Sequence, residues 1–268
     1  MSLDPIKTAG DTIGRISDDF QRQPLRRSYM IRFIIRCIIL VVSFLVFIFW
    51  PEQLEVVIAH KWDAFFKEFT IAHVIWIIWM IDMILQLIPL KRHIPIGSQK
   101  NFEMHYKPAL KSINMDRLIA HLKGLSKGAY KVFILWAALI VAIGIFYHLG
   151  ILKPMHLFLI SAIFYVCDLI CVLFWCPFRV FIMKNKCCTT CRIFNWDHLM
   201  MFSPLIYLRS FYAWVLVLFA VIVWALWELS VLLFPERFSH FTNESLKCSQ
   251  CKDRLCKKPR GDRPSYTN

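Results

Sequence analysis

A chain of 268 residues that is 58% hydrophobic yet carries a formal charge of +14 has more apolar surface than one soluble domain can hide. Its apolar runs of about 20 residues match the thickness of a bilayer core. With 15% aromatic residues and only 8 glycines, it is not a disordered or low-complexity chain, and it contains no internal repeat. The positive charge suits loops beside anionic lipid headgroups, and nucleic acid is not expected as a partner.

Residues 1–29 are polar and mixed in charge, with a weak apolar stripe at Ile13, Ile16 and Phe20. They read as a cytoplasmic segment without a cleavable signal peptide. A transmembrane domain follows over 30–234, with predicted spans at about 33–50, 70–90, 132–150, 155–175 and 211–234. The last of these would be roughly 36 Å of helix. Between spans two and three, "NMDRLIAHLKG" places Met115, Leu118, Ile119 and Leu122 on one helical stripe, with Asn114 as N-cap and Gly124 as stop. It reads as a short interfacial helix, or as one packed on neighbouring loops. Residues 235–268 form a basic tail containing cysteines.

Lys and Arg number five in residues 1–29, nine from Lys91 to Lys131 and five from Arg179 to Arg209, against two in 51–69 and one in 151–154. The positive-inside rule then places the N-terminus and the loops after spans two and four in the cytoplasm. A fifth crossing would export the tail, although residues 235–268 hold eight Lys and Arg. A sixth crossing through "HLMMFSPLIYL" (198–208) would return it. Those 11 residues contain Pro204 and make only roughly 16 Å of helix, too little to cross alone. They fit a surface or re-entrant segment better, so five crossings are preferred and six remain open.

Three acids fall within spans: Asp82, Asp168 and Glu228. Such groups cost several kcal/mol in lipid unless paired, hydrated or protonated. Ser161, Tyr165, Asp168 and Cys171 share one helical face, and Gln86 lies one turn after Asp82. Facing each other, the two stripes would make a polar seam that serves as a proton or cation path, a ligand site, or simple interhelical bonding. Arg32 and Arg36, the basic residues nearest a span, sit close to its cytoplasmic end, and neither is expected to reach the acids. His73, His148 and His156 near span ends read as ordinary interfacial histidines, and Ala138 with Ala142 as a close-packing pair.

The chain has ten cysteines. Cys188 and Cys191 have the spacing of a metal knuckle, and Cys248 and Cys251 repeat it. With Cys176, Cys187, Cys256 and His198 as further candidate ligands, they suggest a zinc or iron–sulfur site if the two groups share a compartment. Five crossings would keep them apart. Cys187 and Cys188 are also candidates for palmitoylation. The "NES" at Asn243 matches a glycosylation pattern that carries meaning only on an exported tail. No nucleotide loop, metalloprotease helix, nucleophile elbow or haem-attachment motif is present, so the sequence does not decide whether the protein is an enzyme.

The expectation is an all-α polytopic membrane bundle with five transmembrane helices, six possible. Three roles stay open for it. One is a metal–thiolate protein in a redox or structural role. The second is a transporter or channel with its path past Asp82 and Asp168, and the third is a non-catalytic scaffold.

Overall fold

The computed structural model describes residues 5–58, 65–66, 69–88, 101–109, 115–185, 188 and 190–247, with side chains of the first helix from residue 27 onward. The expectations for Cys187, Cys248, Cys251 and Cys256 lie outside the described residues. Every named element is helical: α1 (Pro5–Phe49), α2 (Glu55–Ile58), α3 (Ile71–Leu87), α4 (Met115–His148), α5 (Pro154–Leu173), α6 (Asp197–Phe202) and α7 (Phe211–Leu233), with short 3-10 and π turns between them. No strand occurs among the described residues.

Four helices are long and apolar enough to cross a bilayer: Arg27–Phe49 within α1, Leu118–His148 within α4, α5 and α7. The fifth apolar helix, α3, has 17 residues, roughly 26 Å, near the short limit for a crossing. This is the expected helical membrane bundle. Its outward faces are apolar, as lipid requires: Ile38, Ile48, Ile134, Leu218 and Leu232 are all more than half exposed. Inside, Trp79, Phe158, Phe202 and Tyr212 are fully buried and pack ring against ring.

The ends of the helices are closed by their own side chains. At α3, the Thr70 N–H and hydroxyl meet His73 Nδ1 at 3.0 and 2.9 Å, and His73 Nε2 lies 2.8 Å from the Phe65 carbonyl. At α5, His156 Nδ1 accepts from Lys153 N–H at 2.9 Å. These two histidines satisfy orphan N–H groups of helix first turns.

Two expectations change. The stretch 115–123 is not a separate surface helix, because α4 runs unbroken through Gly124. A glycine costs a helix only about 1 kcal/mol, and the helix runs on through Gly128 as well. Leu118 is buried, and His121 packs edge-on against His240 and Phe241 of the tail at 5.2 and 4.9 Å. Leu118 of the apolar stripe therefore meets protein, while Met115 and Ile119 stay exposed.

The second change concerns residues 197–208, which run inside the bundle instead of along its surface. Trp196 packs on Trp224, and its indole N–H donates to Glu228, both toward the C-terminal end of α7. Ser210 then caps the N-terminus of α7, accepting from Ala213 N–H at 3.2 Å. The segment between them therefore retraces most of α7 in the opposite sense. It does so as a broken helix, α6 followed by a 3-10 turn over Ser203–Tyr207, which gains length because 3-10 geometry rises about 2.0 Å per residue. Met201, Phe202, Pro204 and Leu205 are buried. Irregular backbone at this depth is tolerated because protein surrounds it. Trp136 donates to Ser203 Oγ at 3.0 Å, and Tyr207 donates to the Ile140 carbonyl at 2.9 Å. Gly144 makes room for this passage: a Cβ there would lie 2.3 Å from the Tyr207 ring.

The consequence is that the chain beyond α7 emerges at the same end of the bundle as the α3–α4 connection. Ala109 N–H donates to Thr242 O at 3.0 Å, and Glu244 N–H to Lys107 O at 2.8 Å. Arg237 pairs with Glu103 at 3.2 Å. Asn243 is fully buried there. Its amide donates to Arg237 O, and its Oδ1 accepts from Ser245 N–H. A side chain so placed serves as a clamp and is closed to glycosylation.

Candidate functional site

The spacing of Tyr165 and Asp168 on α5, and of Asp82 and Gln86 on α3, puts each pair on one helical face. The structure turns the two faces together, and the residue that joins them comes from α1. Arg36 is 8% exposed. Its Nη1 donates to Asp168 Oδ2 at 2.7 Å and to the Tyr165 carbonyl at 2.8 Å, and its Nη2 lies 3.3 Å from Asp82 Oδ2. The guanidinium sits 4.0 Å above the Tyr165 ring, and the Tyr165 hydroxyl donates to Asp82 Oδ2. The sequence-based expectation that Arg36 falls short of the acids is thus corrected. α1 lies against α5 in the opposite sense, with Phe33 on Phe174 at one end and Phe47 on His156 at the other. That brings residue 36 level with residue 168.

One guanidinium facing two carboxylates leaves one uncompensated negative charge when both acids are ionised. In a low-dielectric interior that surplus is costly. Side-chain exposures of 26% for Asp82 and 20% for Asp168 leave part of each carboxylate uncovered.

A second buried pair adjoins the first. Gln86 Nε2 donates to Asp197 Oδ1 at 3.0 Å, and His198 Nδ1 stands 3.2 Å from the same oxygen. His198, a candidate metal ligand by sequence, is 4% exposed and stacks on Phe202. Asp197 was readable only as part of a polar stretch. Its signal is the helix break that carries it into the bundle.

Glu228 is also paired. Arg192 meets it with both terminal nitrogens, Nη1 on Oε1 at 2.7 Å and Nη2 on Oε2, and Trp196 Nε1 donates to Oε1 at 2.7 Å. A search for partners within spans overlooks Arg192, because it comes from the loop before α6. Beside this ion pair lies a cavity of about 20 Å³ lined in part by Asn101, Asn195, Arg192 and Trp227.

Four of the six described thiols, Cys171, Cys176, Cys188 and Cys191, lie near the end of α5. Cys188 Sγ lies 3.9 Å from the Cys171 carbonyl, and the Arg179 N–H donates to Cys176 Sγ at 3.4 Å. A hydrogen bond from Cys171, assisted by backbone N–H groups, draws the Cys176 thiol down to about 6. Burial pushes Cys191 up to about 12, against a bond from the Ile193 N–H. Cys188 and Cys191 form a tight turn, with Cys191 N–H donating to Cys188 O at 2.9 Å. Among the described residues, no group of three or more His, Cys, Asp or Glu side chains is arranged to hold a metal ion.

No family model, no curated protein and no solved structure matches this chain. The arrangement of its own residues is therefore the basis for any assignment beyond membrane bundle.

Proposed function

We propose that this protein moves protons across the membrane, with Asp82 and Asp168 as the carboxylates that bind and release them. The observation that carries this reading is the sharing of one guanidinium by two carboxylates from different helices within the bundle, with the Tyr165 hydroxyl on one of them. Arg36 keeps one charge compensated and tolerates gain or loss of one proton on the other carboxylate. A structural role alone is met more cheaply by neutral partners, since buried ion pairs rarely exceed apolar packing in stability. The broken passage through α6 supports the same reading, because discontinuous helices in membrane bundles commonly form transport sites. Within this reading, the end bearing residues 101–109 and 235–247 faces the cytoplasm. The basic tail then joins the other basic loops.

The test is purified protein in liposomes loaded with a pH-sensitive dye, with a potassium gradient and valinomycin as driving force. Wild type acidifies or alkalinises the lumen according to the imposed potential, and Asp82→Asn and Asp168→Asn each abolish the response while still folding. Wild-type flux surviving both substitutions defeats the proposal. So does a wild type without flux, which leaves the network as helix packing in a scaffold.

A second reading, a metal–thiolate centre in a redox or structural role, is favoured by two observations. The sulfur of Cys176 accepts the Arg179 backbone N–H, which stabilises a thiolate. The tail also returns to the end of the bundle where Cys188 and Cys191 lie, which removes the objection of opposite sides. Cys176, Cys187, Cys188 and Cys191, with Cys248 and Cys251, would hold zinc or an iron–sulfur centre. Protein purified under reducing, chelator-free conditions with stoichiometric zinc or iron would support it, and metal-free protein would dismiss it.

A further inference from the structure

We infer that protons reach the Asp82–Asp168 pair from the end of the bundle that carries the tail, through the cavity at Asn101 and Asn195 and then through His198. This rests on the proton-moving reading and adds its route. Three observations support it, each independent of the Arg36 site.

First, among the described residues Nε2 of His198 lacks a hydrogen-bond partner although the residue is almost wholly buried and its Nδ1 faces Asp197 Oδ1 at 3.2 Å, and Gln86 Oε1 is unpartnered too. Buried polar atoms are nearly always satisfied, and those that are not call for a functional reason. Second, the cavity is lined by further atoms of this kind: Asn101 Oδ1, Asn195 Oδ1, Arg192 Nε and Trp227 Nε1. Its volume of about 20 Å³ admits one water, and its donors and acceptors give that water the two to four partners it needs. Third, Asn195 lines the cavity and precedes Asp197 by two residues, so the cavity lies next to the start of the broken helix that holds His198. From there inward the polar groups follow in order: Asp197 and His198, Gln86, Asp82, then Arg36 and Asp168.

The groups facing His198 are Asp197 on its own helix, Gln86 and Asp82 from α3, and Arg36 from α1, with Asp168 of α5 beyond them. Asp197 holds the imidazolium when it forms. The step is a simple transfer. A hydrated proton entering from the tail end gives its proton, by way of the cavity, to the lone pair of the imidazole and is left as neutral water, and the imidazolium then gives the proton to an ionised carboxylate of the Asp82–Asp168 pair. The imidazole returns neutral, and no electron changes hands.

The test follows the carboxylic C=O stretch of the Asp82–Asp168 pair by attenuated-total-reflection infrared spectroscopy after a switch from H2O to D2O, using the full-length protein in lipid. Asp82→Asn and Asp168→Asn assign the band. His198→Gln and Asn195→Leu each slow its exchange at least tenfold, while the band itself and the thermal midpoint stay in place. Unchanged exchange in both variants overturns the route. Should one variant fail to fold, the other decides. Because exchange is read without net flux, a wild type that exchanges through His198 but moves no protons across liposomes separates failure of the function from failure of the route.

Discussion

Arg36 and Asp168 lie 132 positions apart in the chain, and their side chains meet at 2.7 Å in the interior of the bundle. The contact joins α1 to α5 and draws in Asp82 from α3, so a single side chain organises three helices. Removing it leaves two carboxylates inside the bundle with no guanidinium between them, and the Tyr165 hydroxyl on Asp82 alone. Breaking one side of a buried ion pair costs about 3–5 kcal/mol. Arg36→Gln should lose about that much when the protein is unfolded by titrating a denaturing detergent into mild micelles. Adding Asp82→Asn and Asp168→Asn to it should recover most of the loss. An Arg36→Gln protein as stable as wild type would show that the guanidinium is not holding the helices together.

Close packing makes a second, opposed pair of expectations. At Gly144 a Cβ would meet the Tyr207 ring at 2.3 Å, and Tyr207 is pinned by its bond to the Ile140 carbonyl. Gly144→Val should therefore force the broken passage away from α4, at a cost of about 1–3 kcal/mol or more. At Gly124 nothing lies within 4 Å of a new Cβ, and the backbone is helical. Gly124→Ala should be neutral or gain up to about 1 kcal/mol. Thermal midpoints followed by tryptophan fluorescence distinguish the two. Equal shifts at both sites would contradict the packing described.

Much of this architecture was legible in the sequence, because apolar length is a strong signal. The stripes at Tyr165–Asp168 and Asp82–Gln86 were legible as well, since helical spacing alone defines a face. The joining residue was not. Arg36 lies near the start of the span expected at 33–50, and the packing of α1 along α5 brings it level with Asp168. Glu228 and Arg192 were hidden for a related reason: the partner comes from a loop, where spacing carries no directional information. The passage over 197–208 was misread as too short, because the length argument assumed one regular helix. Its broken backbone is sustained by Trp136 and Ile140 on another element, which no local pattern encodes.

Cys176 makes a chemical prediction. Its thiol is drawn down to about 6, chiefly by the hydrogen bond from Cys171. A depressed value means the thiolate predominates above that pH and is lost below it. In mild detergent, the rate of Cys176 alkylation by iodoacetamide, read by peptide mass spectrometry, should half-rise near pH 6 and be nearly flat from 7 to 8. Cys171→Ala should move that half-rise toward the ordinary thiol value of about 8.5. A wild-type profile that rises only above pH 8 would rule out the activated thiol.

The course of the chain around α7 gives a test that touches both functional readings. Arg237 Nη2 lies 3.2 Å from Glu103 Oε2, which ties the segment after α7 to the α3–α4 connection. Leu149, 67% exposed, sits at the far end of α4. In a cysteine-free background, single Met104→Cys and Arg237→Cys proteins in oriented vesicles should react with an impermeant maleimide on the same face, and Leu149→Cys on the opposite face. If residues 197–208 stayed at one surface, position 237 would instead label with position 149. That result would also put the segment after α7 opposite Cys188 and Cys191, and so remove the shared thiolate site. The structure favours the other outcome, because Trp196 and Ser210 bind opposite ends of one helix and the chain between them has no other way to connect them.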